Sequence, residues 1–208
     1  FMSDEHNPPA ILLEYCPLDL VKAIKEDTLS NVQIVLYIFQ IAEGMKYVHF
    51  KKIIHRDLKP SNILISADGK IRISDFGGDD LSMTGLVGTQ KFMAPELINE
   101  EDYDEKIDVY SFGVLVFYIL SNGKLPKITI TQVGIGKKAE IPSSFTKFSK
   151  SLINKCWNFD PKDRPSFKEI CDEMEANKFN LVNLTKSETT EVMIQIKEYK
   201  SLIPFYES

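Results

Sequence analysis

Cysteine is scarce in this sequence, and acidic residues outnumber basic ones. The 3 cysteines, Cys16, Cys156 and Cys171, are odd in number and show no C-x-x-C spacing. They indicate a reduced, intracellular protein rather than a disulfide framework. The 25 basic and 30 acidic residues give a formal net charge of -5. This balance lacks the basic surface expected of a nucleic-acid binder, so nucleic acid is not an expected partner.

Long apolar runs are also missing. The longest one, at residues 112–120, is too short to span a bilayer. The N-terminal residues have neither the basic region nor the apolar region of a signal peptide. We therefore expect a cytoplasmic protein with no membrane segment. With 208 residues, 43% of them apolar, the chain can bury one sizeable core and is expected to form one domain.

Helices dominate the predicted secondary structure. Residues 31–50 carry apolar side chains at spacings of three and four, and residues 108–120 are apolar on nearly every side, which predicts a buried helix. Leu18, Val21 and Ile24 lie three apart and predict a short amphipathic helix. The C-terminal residues 179–208 are compatible with either a helix or a linker. The four longer predicted helices are 31–50, 108–120, 145–159 and 166–177.

The predicted strands are short. Residues 63–65 and 71–73 are apolar runs joined through Ala67-Asp68-Gly69, which has the residue types of a hairpin turn. Residues 9–15 have the pattern of a short buried strand after a Pro-Pro break. The predicted hairpin is important for a functional site, because it places Asn62 at one of its ends and Asp75 at the other.

Those polar residues form a set suited to phosphoryl transfer. The reaction needs a carboxylate to orient the acceptor hydroxyl and oxygen ligands that hold Mg²⁺ against the phosphates. Asp57, Asn62 and Asp75 can supply these groups, since one loop can carry the first two and the hairpin brings the third to face them. Taken alone, an aspartate in a loop is more often a turn former or a helix cap.

The spacing of these residues matches two signatures of one enzyme family. The sequence H-R-D-L-K-P-S-N at residues 55–62 and D-F-G at residues 75–77 match H-R-D-L-x-x-x-N and D-F-G. The chain thus resembles the C-terminal lobe of a eukaryotic-type protein kinase, over about residues 10–177. The sequences Met83-Thr84-Gly85, Gly88-Thr89 and Cys156-Trp157 most resemble those of the tyrosine-kinase-like group, whose members are mostly serine/threonine kinases. M-A-P-E at residues 93–96 resembles the end of that family's activation segment.

The resemblance implies a fold class and a division of the chain. A mainly α fold with short β-hairpins, a truncated kinase-like fold, is expected. Residues 1–15 would be the remnant of an N-lobe strand leading into the hinge, residues 16–178 the C-terminal lobe, and residues 179–208 a terminal helix or linker. The partners implied are protein substrates, ATP and the missing N-lobe.

The resemblance also assigns roles to the polar set. Asp57 would orient the acceptor hydroxyl and accept its proton, and Lys59 would contact the transferred phosphate, as in serine/threonine kinases. Asn62 and Asp75 would be the Mg²⁺ ligands, both hard oxygen donors. Because tyrosine kinases usually carry another residue at the position of Lys59, serine/threonine substrates are expected.

The adenine site would lie at the predicted N-terminal strand. By resemblance, Leu13 would stand at the back of the pocket, and Glu14 and Cys16 would offer a backbone C=O and N–H to adenine. Leu64 would form the floor under the ring. An ordinary sheet strand and an ordinary core leucine are the alternatives.

Three structural contacts are also expected from the resemblance. His55 would pack under Phe76 and bond to backbone rather than act as a base. Asp108 would stay buried and accept backbone N–H groups of the catalytic loop. Arg164 would form a buried ion pair with Glu96.

Control by phosphorylation is suggested by one arginine. Arg56 lies next to Asp57, and a guanidinium can grip a phosphate with two hydrogen bonds. Ser82, Thr84 and Thr89 are candidate acceptors, although Thr89 is expected to bond toward the catalytic residues instead. Residues 77–80, G-G-D-D, depart from the family, because the position after D-F-G is usually apolar.

Glycine is absent before Gly44. A complete kinase covers the phosphates with a glycine-rich loop and anchors them with a lysine. Lys25 lies in a segment with helical spacing after the hinge, so it is not that lysine, and the G-x-G-x-x-A sequence at residues 134–139 lacks the required strand and helix. These residues alone are therefore expected to show negligible turnover. A non-catalytic binding or scaffold module remains the alternative function.

Overall fold

A computed structural model of the protein describes residues 2–4, 7–10, 12–76 and 89–202, with backbone only for residues 2–4, 7–10 and 89. Three 3-10 turns span Pro60–Asn62, Thr89–Phe92 and Pro161–Asp163. The strands are β1 (Met2–Asp4), β2 (Asn7–Ala10), β3 (Leu18–Asp19), β4 (Ile63–Ile65) and β5 (Ile71–Ile73). The helices are α1 (Leu20–Lys25), α2 (Asn31–Phe50), α3 (Pro95–Ile98), α4 (Lys106–Leu120), α5 (Ile130–Gly134), α6 (Lys147–Cys156), α7 (Phe167–Ala176) and α8 (Lys186–Leu202).

Helices α2 and α4 form the centre of the core. Helix α2 has the predicted bounds and starts with a capping box, in which Ser30 and Gln33 satisfy each other's backbone N–H groups. Helix α4 is buried along nearly its whole length, as predicted. The largely helical fold expected from the sequence is thereby confirmed.

A three-stranded antiparallel sheet in the order β3-β4-β5 lies against α2. The predicted hairpin is present, with Ile63 opposite Ile73 and Ile65 opposite Ile71. Gly69 has a φ of +76° in its turn, a conformation that glycine adopts without strain. On the free edge of β5, the Ile71 N–H donates to the Gln40 side chain of α2 over 2.9 Å. The sheet is therefore fixed to the central helix by a hydrogen bond as well as by packing.

Two local predictions were wrong. Leu18 was predicted in a helix, but it lies in β3 opposite Ile65, and α1 starts only after Asp19, whose carboxylate caps the Lys22 N–H over 2.7 Å. The strand predicted at residues 9–15 stops at Ala10, and residues 12–15 have no regular structure. A strand needs a neighbour for its backbone hydrogen bonds, and the described residues give 12–15 none.

The C-terminal part contains helix α8, which follows a non-helical segment at residues 177–185 and extends to Leu202. Helix α8 packs on α2 through the buried side chains of Val192 and Ile196. The Phe39 ring of α2 meets the rings of Phe179 and Tyr199 edge-on at 5.3 Å and 6.5 Å. No helix in the described part of the chain is long and apolar enough to cross a membrane.

Helices α6 and α7 are shorter than predicted. Thr146 and Ser166 each accept a backbone N–H of the first turn, so α6 begins two residues and α7 one residue later than predicted. Helix α6 ends three residues and α7 one residue earlier than predicted. The G-x-G-x-x-A sequence begins at Gly134, the last residue of α5. It does not lie between a strand and a helix, in agreement with its rejection as a nucleotide-binding motif.

Candidate active site

Asp108 anchors the loop of residues 53–62 that follows α2. Its carboxylate lies at the start of α4, is fully buried, and accepts the backbone N–H of His55 over 2.8 Å and of Arg56 over 2.9 Å. His49 of α2 donates to the same carboxylate over 2.9 Å. The expected role of Asp108 is confirmed. One buried charge holds the loop to two central helices.

The ring of His55 connects this loop to the end of β5. Its Nε2 donates to the Ser74 carbonyl over 3.0 Å, and its Nδ1 accepts the Asp57 N–H over 3.3 Å. The ring lies 4.9 Å from that of Phe76, centre to centre. Both ring nitrogens are used by the neutral form, and burial lowers the pKa of His55. The structural role expected for His55 is confirmed.

Asp57, Lys59 and Asn62 lie together in the loop. The Lys59 ammonium is 2.7 Å from Asp57 Oδ2, and Asn62 Nδ2 donates to the same oxygen over 2.9 Å. Asn62 Nδ2 also donates to the Asp57 carbonyl over 2.8 Å. The Asp57 side chain is therefore held by two donors while about 18% of it stays exposed, so it can still meet a substrate.

Asp75 is brought to this group by the hairpin. The Ser74 N–H donates to the Asn62 carbonyl over 3.0 Å, which ties the residue before Asp75 directly to Asn62. Asp75 itself has a φ of +59°, a region in which non-glycine residues are uncommon. Such backbone strain costs about 1–3 kcal/mol and tends to occur at functional sites. The hydrogen bonds of Ser74 hold the chain in place next to Asp75 and so help to maintain its strained backbone.

The oxygen donors fit a magnesium ion. Asn62 Nδ2 is committed to Asp57, the Asn62 Oδ1 accepts a long hydrogen bond of 3.4 Å from the Ser61 hydroxyl, and the Asp75 carboxylate is exposed. Among the described residues, no group of three or more acidic, histidine or cysteine side chains is placed to hold a metal. Two protein oxygens completed by phosphate and water are the usual arrangement for Mg²⁺. Asn62 and Asp75 would hold it.

The residues expected near adenine lie on one side of the sheet. Leu64 is half-buried between the buried Ile63 and Ile65, so it faces away from the core. Cys16 is partly buried, while Leu12, Leu13 and Tyr15 are 79–100% exposed. The exposed Leu13 does not line the back of a pocket in this structure.

Arg72 is a residue that the sequence analysis missed at this site. It lies opposite Leu64 in the hairpin, and its guanidinium holds the Glu14 carboxylate with bonds of 2.8 Å and 3.1 Å. An arginine in a strand gives no signal of its own, because its partner is distant in the sequence.

The expectations about phosphorylation fall largely outside the described residues. Ser82, Thr84 and residues 77–80 are not described, and Thr89 is described only by its backbone. Arg56 is exposed, has a φ of +69°, and lies 5.9 Å from the centre of the Tyr103 ring. A cation above an aromatic face is attracted to it, so Tyr103 helps to hold the guanidinium.

The ion pair between Arg164 and Glu96 is present and buried. The two guanidinium nitrogens lie 2.6 Å and 2.8 Å from the two carboxylate oxygens. Arg164 also donates to the carbonyls of Asn158 and Lys106 over 2.8 Å and 3.0 Å. The predicted pair is confirmed, and it joins α3 to α4 and to the segment before α7.

Comparison with known proteins gives one consistent result. A family model described as "Protein kinase domain" matches residues 2–174. The mitogen-activated protein kinase kinase kinase dlk-1 of Caenorhabditis briggsae is 35% identical over 94% of this chain and 24% of its own length. The mitogen-activated protein kinase kinase kinase 12 of Rattus norvegicus is 38% identical over 77% of this chain and 20% of its own length. The RGS domain-containing serine/threonine-protein kinase A of Dictyostelium discoideum is 35% identical over 79% of this chain and 16% of its own length. The chain thus spans a quarter or less of each of these relatives.

Proposed function

The chain belongs to the protein kinase family, and we propose that it is the lobe that supplies the catalytic residues for phosphoryl transfer from ATP to serine and threonine hydroxyls of proteins within the full gene product. One observation carries the proposal. The Asp57 carboxylate is held by Lys59 and Asn62 within hydrogen-bonding distance, and Asn62 is tied through its carbonyl to the residue before Asp75. The proposal is supported by this arrangement, since three of the polar groups that the reaction needs are in contact and Asp75 directly follows a residue bonded to one of them.

In the proposed mechanism, Asp57 orients the acceptor hydroxyl and takes its proton. Its Oδ2 is occupied by Lys59 and Asn62, so Oδ1 is the oxygen available to the hydroxyl. Lys59 lies beside that position and can balance the negative charge of the phosphoryl group as it moves. Magnesium, when bound, neutralises phosphate charge and orients the phosphates. Asn62 and Asp75 would hold it there by their side-chain oxygens.

The nucleotide would lie on the outer side of the hairpin. We assign the adenine floor to Leu64, whose side chain faces away from the core. The backbone of Glu14 and Cys16 would bond the adenine edge, and Arg72 gives the Glu14 side chain a fixed partner. We assign the chemistry to residues 16–178, with 1–15 leading into them and 179–208 following.

The substrates and compartment are proposed on less direct grounds. Lys59 supports serine and threonine over tyrosine as acceptors, because tyrosine kinases usually carry another residue at this position. Two of the relatives are named as mitogen-activated protein kinase kinase kinases, which makes a mitogen-activated protein kinase kinase a candidate substrate. A cytoplasmic location fits three cysteines that form no disulfide, two of them buried.

Substitution of the proposed base tests the function. The full gene product that contains this chain is incubated with labelled ATP, Mg²⁺ and a protein substrate. Asp57→Asn removes the proton acceptor but keeps the shape of the side chain, so the rate should fall by about 10²- to 10⁴-fold. Nucleotide affinity should change little, because Asp57 does not contact adenine.

The control for that experiment is Asp172→Asn on the exposed surface of α7, which should transfer phosphate at the normal rate. Absence of transfer by the unaltered protein would favour the non-catalytic module. Equal rates for Asp57→Asn and the unaltered protein would remove Asp57 from the mechanism.

A further inference from the structure

The ion pair between Glu14 and Arg72 is unusual for its position. Glu14 belongs to residues 12–16, which have no regular structure and whose apolar side chains are largely exposed. Its carboxylate is nevertheless gripped at both oxygens, by Arg72 Nε over 2.8 Å and by Nη2 over 3.1 Å. An arginine fork matched to a carboxylate in this way fixes orientation as well as distance.

The other partner of this ion pair, Arg72, lies in the hairpin of β4 and β5. Arg72 is the central residue of β5, directly opposite Leu64 of β4. The same hairpin carries Asn62 just before β4 and Asp75 soon after β5. A single side-chain contact therefore joins the segment proposed to bond adenine to the strands that set the spacing of the magnesium ligands.

We propose that Arg72 is a positioning residue for the nucleotide, holding the Glu14 segment against the hairpin in the form that receives adenine. The inference rests on the proposed function and extends it. Without the arginine, residues 12–16 would have to be ordered when the nucleotide binds, and that loss of freedom weakens binding. Arg72 does not touch Asp57 or Lys59, so it affects binding and leaves the chemical step alone.

The predicted signature is a change in nucleotide affinity with an unchanged turnover number. An exposed pair with this geometry contributes about 1 kcal/mol at most, which is about a fivefold change in affinity. Arg72→Gln and Glu14→Gln should each raise the KM for ATP and the Kd for ADP by about fivefold. The KM for the protein substrate should stay the same. Glu14→Gln breaks the contact with Arg72, and Arg72→Gln breaks that contact and also removes the approach of Arg72 to Asp68 at 3.9 Å. The double variant should therefore bind no more weakly than Arg72→Gln alone.

Two further variants separate positioning from general damage. Arg72→Lys keeps the charge but loses the fork, so its nucleotide affinity should lie between those of the unaltered protein and Arg72→Gln. Lys155→Gln breaks a comparable exposed pair, Lys155 with Glu173 at 2.7 Å between α6 and α7, and should leave nucleotide affinity unchanged. Thermal melting of every variant shows whether the fold is kept.

The outcomes distinguish this inference from the function itself. If phosphate transfer depends on Asp57 but the Arg72 and Glu14 variants bind ADP as well as the unaltered protein, the inference is wrong and the function stands. A double variant with the product of the two single effects would also overturn it, since the residues would then act separately. If the unaltered full gene product binds no ADP, the proposed function and this inference fail together.

Discussion

At the scale of single residues, His55 shows how a titratable side chain is used as a fixed connector. Its two ring nitrogens join the Ser74 carbonyl to the Asp57 N–H, and only the neutral ring can do both. Protonation would turn Nδ1 into a donor facing another donor. Burial also lowers the pKa of His55 in the folded protein, because the charged form is poorly solvated there.

A pH dependence of stability follows from His55. Because its pKa is below the ordinary value of 6.5 in the folded protein, the unfolded chain binds the proton more readily. The contribution is fully present above about pH 6.5 and is lost as pH falls, by up to about 1.4 kcal/mol per pH unit. Urea unfolding at about pH 7.5 and pH 5.5 measures it. The loss should be smaller in His55→Gln, and equal losses in both proteins would contradict the assignment.

At the scale of elements, the contact between α4 and α6 depends on a glycine. A Cβ built on Gly113 would lie 2.7 Å from the Cβ of Cys156 and 2.9 Å from the Trp157 ring. Neither neighbour can move easily, because both are buried in the core. The two helices can approach this closely only if residue 113 has no side chain.

Replacing this glycine should therefore destabilise the protein. Gly113→Ala adds an overlap that costs about 1–3 kcal/mol, against a gain in helix propensity of about 1 kcal/mol, so a net loss of up to about 2 kcal/mol is expected. Gly44→Ala in α2 is the matched control. Its new Cβ meets the end of the flexible Ile73 side chain, with Cδ1 at 2.8 Å and Cγ1 at an ordinary 3.7 Å. Urea unfolding of both variants tests the difference, and similar losses would argue against the packing explanation.

At the scale of the whole molecule, parts distant in sequence are joined by buried contacts. Glu96 and Arg164 form one such contact, with side-chain exposures of 4% and 0%. Glu96→Gln would leave the arginine charge buried without its partner, which typically costs about 3–5 kcal/mol of unfolding free energy. Asp172→Asn at the exposed pair with Lys168 should change the free energy of unfolding by too little to measure, because water already surrounds those charges. Chemical denaturation compares the two, and equal stabilities would show that Arg164 finds another partner.

Helix α8 makes a second buried contact between parts that are distant in sequence. It lies beyond the residues matched by the family model, yet it covers the core side chain of Phe39 together with Phe179. Ile196 is 4% exposed on its inner face, and Ile194 is 53% exposed nearby.

These two isoleucines form a matched pair for testing whether α8 is part of the folded unit. Ile196→Ala should cost about 2–5 kcal/mol, as expected for truncating a buried side chain, and should lower the melting temperature. Ile194→Ala should change stability by no more than about 0.5 kcal/mol. If both variants melt like the unaltered protein, α8 does not stabilise the core.

The sequence by itself determined the local elements and led to the proposed reacting groups. Helix α2 and the hairpin were predictable because periodicity and turn residues act over a few positions. Asp57, Asn62 and Asp75 were proposed from their spacing. These features depend on residues that are close together along the chain, so they can be recognised in the sequence.

Only the tertiary structure decided which distant residues meet. Leu18 lies in a strand rather than in the predicted helix, because Ile65 supplies a backbone partner. Residues 12–15 are irregular, because no described strand pairs with them. The tertiary structure also brings Glu14 into contact with Arg72, and neither residue indicates this contact in the sequence. Pairing across the chain is set by which surfaces pack together, and the energy of packing does not appear in any local pattern.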